Sequence, residues 1–189
     1  MKINIIVAHD KNNGIGYENK LPWNIKSDLK NFKKLTVGQY KNAVVMGSNT
    51  WKSIQKPLPN RDNLILSNCL KYDFQFANTN ITNTNITNTN LVKTFTSIDH
   101  TIDFCIKRQY QELWVIGGNK VYNSFLNNDK YSINSIYITY IDTEFKCDTY
   151  FPKIDTNRFR FMQQSIHRSY TQLEYDIYDQ IYCANDLQE

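Results

Sequence analysis

The sequence has little of what marks a metal protein, a secreted protein or a membrane protein. Its four cysteines, at positions 69, 105, 147 and 183, stand far apart, which excludes the paired spacing of a zinc site and the density of a disulfide scaffold. No apolar stretch reaches the ~20 residues that a membrane span needs. The N-terminus runs into a turn without a signal-cleavage region, so we expect a soluble, cytoplasmic chain with reduced thiols and no metal.

Charge of either sign is also modest and evenly spread. Lys and Arg number 22 against 18 Asp and Glu, which gives a formal net charge of +4. This balance does not indicate nucleic acid or an anionic membrane as a partner, although it suits an anionic small ligand. The 13 Tyr and 10 Phe are not interleaved with a basic cluster, as they would be on a surface that binds single-stranded nucleic acid.

The length of 189 residues fits one domain that carries an insertion. The insertion is a polar, low-complexity tract that repeats Ile-Thr-Asn-Thr-Asn and offers almost no apolar surface to bury. We therefore predict a single domain over residues 1–189, with a surface loop at about 77–91.

Short runs rich in β-branched residues alternate with helical patterns. Strands are predicted at 3–8, 43–46, 63–66, 113–116 and 136–141, and helices at 25–35, from Ser97 to 106, and just after Gly117-Gly118. The tail predicts an antiparallel hairpin, with strands at 159–169 and 173–184 and a turn near 170–172. The predicted fold class is α/β in three layers, a central mostly parallel twisted sheet with an antiparallel C-terminal hairpin and helices on both faces.

Asp28 occupies an unusual position in the first predicted helix. It stands one position before Leu29 and four before Phe32, so it lies on or beside the apolar stripe rather than on the lysine face. A carboxylate there needs a partner, which is either a structural donor or a buried ligand with two nitrogen donors. Upstream, the glycines at 14 and 16 fit either a ligand site or an ordinary turn. The aromatic Trp23 fits either a ligand site or a core position.

A set of short motifs, in this order and spacing, resembles the dihydrofolate reductase family. The motifs are Ile-Val-Ala at 6–8, Gly-Ile-Gly at 14–16, Leu-Pro-Trp at 21–23, Asp28 with Phe32, Val-Met-Gly-x-x-Thr-Trp at 45–51, Pro-Leu-Pro-x-Arg at 57–61, Val-Ile-Gly-Gly at 115–118, Tyr122, Thr139 and Asp-Thr-x-Phe-Pro at 148–152. The match runs from residue 1 to about 182 and leaves only the repeat wholly outside it. It implies the family's fold and its reaction, the NADPH-dependent reduction of 7,8-dihydrofolate to 5,6,7,8-tetrahydrofolate for one-carbon metabolism and thymidylate synthesis.

The resemblance implies three catalytic residues. Asp28 is expected to hold the pterin through its 2-amino group and ring nitrogen, Thr139 to hydrogen-bond that carboxylate, and an ordered water near Trp23 to deliver the proton. Arg61 is expected to pair with the glutamate α-carboxylate of folate. The full set of expected substrate contacts is Ile6, Val7, Asp28, Leu29, Phe32, Ile54, Lys56, Leu58, Arg61, Ile116, Tyr122 and Thr139.

The same resemblance implies an NADPH site in which a Gly-Gly pair and the following helix start approach the phosphates. The expected cofactor contacts are Ala8, Gly14, Ile15, Gly16, Gly47, Ser48, Asn49, Thr50, Leu66, Ser67, Asn68, Ile116, Gly117, Gly118, Asn119, Lys120, Val121, Tyr122 and Thr149. No Gly-x-Gly-x-x-Gly fingerprint is present, so an ordinary Rossmann site is not indicated.

Two positions depart from the family's pattern. Ser48 and Asn49 stand where most members carry basic residues that contact the 2′-phosphate of NADPH, so we expect weaker discrimination between NADPH and NADH, with Lys71 or Lys52 as the available compensating charges. Asn119 stands where a third glycine is often found, and Asn tolerates a positive φ better than most residues.

Two other functions are compatible with the sequence. A pterin or pyrimidine reductase of the same fold would have no use for Arg61, and a non-catalytic folate or nucleotide carrier would not need Trp23, Asp28 and Thr139 together. As partners, the resemblance implies dihydrofolate as a small-molecule substrate, neither nucleic acid nor membrane, a monomeric chain, and a functional link to a separate thymidylate synthase.

Overall fold

Strands and helices alternate along most of the chain. The structure is a computed structural model that describes residues 1–38, 41–77, 89–168 and 176–185. Its strands are β1 (Lys2–Asp10), β2 (Gly14–Gly16), β3 (Asn42–Gly47), β4 (Asp62–Leu66), β5 (Asp73–Ala77), β6 (Thr89–Phe95), β7 (Glu112–Val115), β8 (Ser135–Ile141), β9 (Thr149–Tyr150), β10 (Phe159–Arg168) and β11 (Asp176–Ala184). Its helices are α1 (Lys26–Val37), α2 (Ser48–Ile54), α3 (Ile98–Lys107) and α4 (Asn119–Leu126).

The main sheet has nine strands in the order β10-β11-β8-β1-β7-β3-β4-β6-β5. The pairs from β8 through β1, β7, β3 and β4 to β6 are parallel, whereas β11 and β10 at one edge and β5 at the other run antiparallel to their neighbours. A second, two-stranded sheet joins β2 to β9. This topology confirms the predicted α/β class, the mostly parallel sheet and the antiparallel C-terminal strand pair.

Helices cover both faces of the sheet. One face packs against α3 and α4 through residues such as Cys105 and Phe125, and the other packs against α2 through Trp51. Successive side chains of β1 pack on opposite faces: Ile5 packs on the face covered by α3 and α4, and Ile6 packs on the face covered by α2. Burial on both faces is the reason why these strands are continuously apolar in the sequence.

The structure contains elements that the sequence pattern did not predict. These are α2, the antiparallel pair of β5 and β6, and the small sheet of β2 and β9. Both ends of the expected loop at about 77–91 are instead strand, because β5 extends to Ala77 and β6 begins at Thr89. The remainder of the repeat, and the predicted turn near 170–172, lie outside the described residues.

Two further expectations are corrected at the level of single residues. Leu29 was expected to be buried in the stripe of α1, but it is 48% exposed because it faces an open cavity rather than the sheet. Asn119 needs no positive φ because it is the first residue of α4. Among the described residues, no helix is long and apolar enough to cross a membrane, and no cluster of His, Cys, Asp and Glu could hold a metal ion.

Candidate active site

A cavity of about 940 Å³ opens at the edge of the sheet where the parallel strands end. Residues at or near the ends of four strands line it: Ala8 of β1, Gly47 of β3, Leu66 of β4 and Ile116 after β7. The other walls come from α1, α2, the first turn of α4 and the segments 15–21 and 148–150. Ligands of open α/β sheets bind at this edge, so the cavity is the candidate active site.

A carboxylate held by a neighbouring strand faces this cavity. Asp28 lies in the first turn of α1, where the helix dipole favours a negative charge. The hydroxyl of Thr139 donates a hydrogen bond to Asp28 Oδ1 at 2.7 Å. Thr139 lies on β8 directly beside Ala8 of β1, so the sheet fixes the donor and α1 fixes the acceptor. The carboxylate therefore has a defined orientation in the cavity wall.

Tyr122 is the second polar group fixed in the wall. Its hydroxyl is buried and donates to the carbonyl oxygen of Ile6 at 2.9 Å. Burial raises the pKa of Tyr122, and the nearby Asp28 charge raises it further, so the phenol stays neutral. The ring packs on Gly117, whose φ is +103°. A Cβ at Gly117 would lie 2.9 Å from Tyr122 Cε2, so only glycine fits.

Trp23 is a buried indole behind the cavity rather than part of its lining. It is 7% exposed and packs against Phe145, with ring centroids 5.2 Å apart. Its Nε1 is buried and has no hydrogen-bond partner within the described part of the chain. A buried donor of this kind is normally satisfied by an ordered water or a ligand.

Arg61 is an almost fully buried cation beside the wall residue Phe32. It is 3% exposed, donates to the hydroxyl of Thr36, and stacks on the Phe32 ring with Cζ 5.4 Å from the centroid. Its Nε has no partner among residues 1–38, 41–77, 89–168 and 176–185. Desolvation lowers the pKa of Arg61 to about 10. A buried guanidinium without an ion pair in the described chain is a ready partner for an anion.

The glycines on the other side of the cavity bring two strand ends together. The Gly47 amide donates to the Gly117 carbonyl at 2.7 Å, and a Cβ at Gly47 would come within 3.1 Å of Val121 Cγ2. Gly118 is the N-cap of α4, whose first turn lines the cavity. This turn directs backbone N–H groups and the positive end of the helix dipole at the cavity, with Lys120 beside them, which suits phosphate groups.

The two segments at 15–21 and 148–150 that line the cavity are bonded to each other. The Glu18 amide donates to Asp148 Oδ2 at 2.8 Å, and the Asp148 amide donates to the Gly16 carbonyl at 2.9 Å. The bond from Glu18, together with the Thr149 hydroxyl, lowers the pKa of Asp148. The loops are thus held against each other by backbone contacts.

Comparison with known proteins matches this chain to one family. The family model described as dihydrofolate reductase matches residues 2–183. The chain belongs to the dihydrofolate reductase family. It is 35% identical over 170 residues to the dihydrofolate reductase of Schistosoma mansoni, covering 85% of this chain and 83% of that protein. It is 39% identical over 155 residues to that of Buchnera aphidicola subsp. Baizongia pistaciae, covering 82% and 80%.

A bifunctional relative and a solved structure add two findings. The chain is 40% identical over 167 residues to bifunctional dihydrofolate reductase-thymidylate synthase 2 of Arabidopsis thaliana, where the match covers 82% of this chain and 27% of that protein. It therefore spans only about a quarter of that relative. The dihydrofolate reductase from Enterococcus faecalis, complexed with NADP(H) and RAB-propyl, superposes with a TM-score of 0.74 at 27% identity and covers 98% of this chain and 97% of its own. The predicted dihydrofolate reductase-like fold is confirmed.

Most of the residues that the family resemblance implied do line the one cavity. Of the expected substrate contacts, the cavity is lined by Ile6, Val7, Asp28, Leu29, Phe32, Ile54, Leu58, Ile116 and Tyr122. Of the expected cofactor contacts, it is lined by Ala8, Ile15, Gly16, Gly47, Ser48, Asn49, Thr50, Leu66, Ile116, Gly118, Asn119, Lys120, Val121, Tyr122 and Thr149.

The other implied residues lie outside the lining for identifiable reasons. Thr139, Arg61 and Gly117 lie behind it and contact the wall residues Asp28, Phe32 and Tyr122, whereas Trp23 lies behind it against Phe145. Gly14 is covered by Cys147. Ser67 closes a turn, in which its Oγ accepts from the amides of Cys69 at 3.1 Å and Leu70 at 3.0 Å, and Asn68 lies in that turn. Lys56 is exposed outside the wall.

Several lining residues were not predicted from the sequence. They are Asn19, Lys20, Leu21, Ser53, Asp148 and Tyr150. Asp148 belongs to a family motif at 148–152, and Leu21 to another at 21–23, so the motifs marked the segments without marking these side chains. Tyr150 belongs to the same motif as Asp148. The motifs did not mark Asn19 and Lys20, which follow β2, or Ser53, which lies in α2.

Proposed function

We propose that this chain reduces 7,8-dihydrofolate to 5,6,7,8-tetrahydrofolate with NADPH. Membership of the dihydrofolate reductase family and the NADP(H) complex of the Enterococcus faecalis protein support the reaction and the cofactor. The observation that carries the proposal for the site is the Asp28 carboxylate, oriented by Thr139 at 2.7 Å in the cavity wall.

Asp28 binds and orients the pterin. A carboxylate presents two acceptor oxygens in a plane, which match a 2-amino group and an adjacent ring nitrogen. Thr139 keeps that plane fixed, and the negative charge favours the protonated, more electrophilic imine. Apolar wall residues such as Phe32 and Leu58 exclude water from the rings, which strengthens this charged contact.

Trp23 positions the water that supplies the proton. Its buried Nε1 lacks a partner in the described chain, and a water bonded there would satisfy it. Asp28 itself then need not deliver the proton to the ring nitrogen; it stabilises the charge that develops on the pterin.

Arg61 binds the glutamate α-carboxylate of the substrate. Its guanidinium is buried beside Phe32, which lines the cavity, and a planar carboxylate would provide the ion pair that the described chain does not. Lys56 adds a weaker, longer-range attraction, because it is exposed to solvent.

The residues on the glycine side fit NADPH. Gly47 and Gly118 line the cavity without side chains, so a ligand can approach the main chain there, and the first turn of α4 with Lys120 favours the pyrophosphate. When bound, the nicotinamide supplies the hydride. Ile15 and Gly16 of β2 border its ring. Ser48, Asn49 and Thr50 border the adenosine half, and none of these three side chains carries a positive charge. We therefore expect a weaker preference for NADPH over NADH than a cationic side chain at position 48 or 49 would give.

We also propose that residues 1–189 form one domain with an insertion between β5 and β6, that the chain is a cytoplasmic monomer, and that it acts with a separate thymidylate synthase. Both strands that flank the insertion belong to the main sheet, which supports one domain. The bifunctional relatives support the link to thymidylate synthase. Light scattering of the purified chain tests the monomer.

Cofactor oxidation tests the reaction directly. Purified protein is assayed with dihydrofolate and with NADPH or NADH, alongside Asp28→Asn and the matched control Asp103→Asn, whose carboxylate is exposed on α3. We expect turnover that depends on dihydrofolate and falls by roughly 10²-fold or more in Asp28→Asn, with Asp103→Asn unaffected. Tight folate binding without turnover in the unaltered chain would favour the non-catalytic carrier instead.

A further inference from the structure

Asp10, at the end of β1, joins two distant segments of the chain. It is a buried carboxylate with 0% exposure. Its Oδ1 accepts the amide N–H of Asn12 at 2.9 Å and of Gly14 at 2.7 Å. Its Oδ2 accepts the amide N–H of Phe145 at 2.9 Å, 135 positions further along the chain, and lies 3.9 Å from Cys147 Sγ.

Each segment that Asp10 holds leads to a different part of the active site. Gly14 begins β2 and directly precedes Ile15 and Gly16, which line the cavity. Phe145 packs its ring on the indole of Trp23 at 5.2 Å. One carboxylate therefore bonds to the backbone on the cofactor side and to the residue that supports Trp23 on the proton side.

The contact between these segments leaves no free space. A Cβ at Gly14 would lie 2.4 Å from Cys147 Sγ and 3.0 Å from Asp10 Oδ1. Backbone bonds from Lys11 to Thr143 at 3.0 Å and from Phe151 to Asn13 at 2.8 Å flank the carboxylate. A shift of either segment would therefore be transmitted to the other through Asp10 and Cys147.

We infer that Asp10 is a positioning residue that sets the placement of β2 relative to Trp23, and so aligns the cofactor side of the reaction with the proton side. The inference rests on the proposed function for its kinetic consequence. Its structural part, the coupling of Gly14 to Trp23 through Asp10, holds whatever the reaction is.

Asp10→Asn tests the inference because the amide has the same shape but only one acceptor oxygen, so one of the two segments loses its bond. The matched control is Asp62→Asn. Asp62, at the start of β4, is a buried carboxylate, 4% exposed, that accepts the Leu91 amide at 2.7 Å and the Tyr110 hydroxyl. It also pairs with Arg108 Nη2 at 3.5 Å, and it does not line the cavity.

We expect single-turnover hydride transfer to fall about tenfold in Asp10→Asn, because small displacements of positioning groups cost up to ~10²-fold. The KM for NADPH should rise several-fold, and the KM for dihydrofolate should stay within about twofold, because Asp28 and Thr139 do not contact Asp10. Asp62→Asn should leave the rate of hydride transfer and the KM for NADPH unchanged, even where it lowers thermal stability as much as Asp10→Asn does. Equal kinetic losses in the two variants would overturn the inference.

A second measurement needs no substrate. The chain has three Trp, at 23, 51 and 114, so 5-fluorotryptophan labelling gives three ¹⁹F resonances, and Trp23→Phe assigns one of them. Asp10→Asn should shift or broaden the Trp23 resonance and leave the other two in place. An unmoved Trp23 resonance overturns the inference. Absence of turnover in the unaltered chain would instead count against the proposed function alone.

If Asp10→Asn does not fold, Gly14→Ala probes the same contact from the other side. Its methyl group should displace β2 from Cys147 and lower hydride transfer. Adding Cys147→Gly removes both Cys147 atoms that the methyl group would meet, at 2.4 and 2.7 Å, and should restore hydride transfer at least in part. No recovery in the double variant overturns the inference.

Discussion

Gly117 and Tyr122 are in van der Waals contact, and the contact leaves no room for a side chain at Gly117. A methyl group there would lie 2.9 Å from Tyr122 Cε2, on a residue whose φ is +103°. The ring that blocks it is the one whose hydroxyl bonds the Ile6 carbonyl at 2.9 Å. The end of β7 and the wall of the cavity are thus fixed by the same aromatic ring.

Gly117→Ala is expected to lower the free energy of unfolding by on the order of 2–4 kcal/mol, from backbone strain and overpacking. Gly118→Ala is the matched control, because a Cβ there would meet Thr50 Oγ1 at an ordinary 3.5 Å. Urea denaturation of both variants measures the difference. Equal destabilisation would show that the Tyr122 contact is not the cause.

Thr139→Val should lower kcat/KM for dihydrofolate by roughly tenfold to a hundredfold, because it removes a hydrogen bond to a carboxylate. Valine keeps the shape on β8, so thermal stability should change little. Thr139→Ser retains the hydroxyl and should retain most of the activity. Steady-state kinetics of the pair separate the hydrogen bond from packing, and a loss of equal size in both variants would contradict this role.

Arg61→Ala should raise the KM for dihydrofolate roughly thirtyfold or more, because it removes the buried cation that we propose as the partner of the substrate carboxylate. With a pteridine substrate that lacks glutamate, the same change should leave KM alone. Arg61→Lys should not rescue binding, because an ammonium group lacks the planar fork. Equal effects on the two substrates would refute the pairing.

The stability of the protein should fall as the pH drops below about 6.5, in part because of His9. Burial is the main cause that lowers the pKa of His9 from 6.5, and the Asp10 carbonyl, 2.8 Å from Nδ1, opposes it. The unfolded chain therefore takes up a proton at a higher pH than the folded chain. His9 stabilises the folded chain fully above 6.5, and this contribution is lost as the pH falls from 6.5 to the lower pKa of the folded chain, with a slope of at most about 1.4 kcal/mol per pH unit.

His9→Gln should flatten this part of the stability curve, measured by chemical denaturation between pH 5 and 7.5. His100→Gln is the control, because His100 is exposed on α3. The same slope in His9→Gln and in the unaltered chain would assign the pH dependence to other groups.

Asn49→Arg should lower the KM for NADPH about two- to fivefold, the range for an exposed ion pair, and leave the KM for NADH unchanged. The gain should shrink at high salt, because charge screening weakens exposed pairs. Asn49→Gln serves as the neutral control. An improvement with both cofactors would point to packing rather than to the 2′-phosphate.

The parts of the fold that could be predicted are those whose residues are buried on both faces. Apolar residues such as Ile5 and Val44 predict β1 and β3, because the side chains of a strand between two helix layers are buried on both faces. In contrast, the sequence pattern did not predict α2. This helix is short and rich in Ser, Asn and Thr, and it buries only Trp51, so it shows no apolar stripe. The pair of β5 and β6 escaped because the polar repeat conceals the start of β6.

The residues of the candidate site also fall into two groups, those that the local sequence predicts and those that it does not. Asp28 stood out because a carboxylate beside an apolar stripe is anomalous within α1 itself. Asp148 did not, because its place in the cavity wall depends on bonds to the Glu18 amide and the Gly16 carbonyl, which lie about 130 positions away. Contacts of that range are properties of the folded chain, and no local pattern encodes them.

The position of the Ile-Thr-Asn-Thr-Asn repeat has an evolutionary consequence. Ala77 and Thr89 are directly paired partners of β5 and β6, so the chain leaves and rejoins the outermost ladder of the sheet at neighbouring points. Because closure cost grows with the logarithm of loop length, a doubling adds only about 0.6 kcal/mol. Slippage during replication could therefore add or delete whole repeat units with little effect on folding or catalysis, and a second domain could be spliced in at the same point.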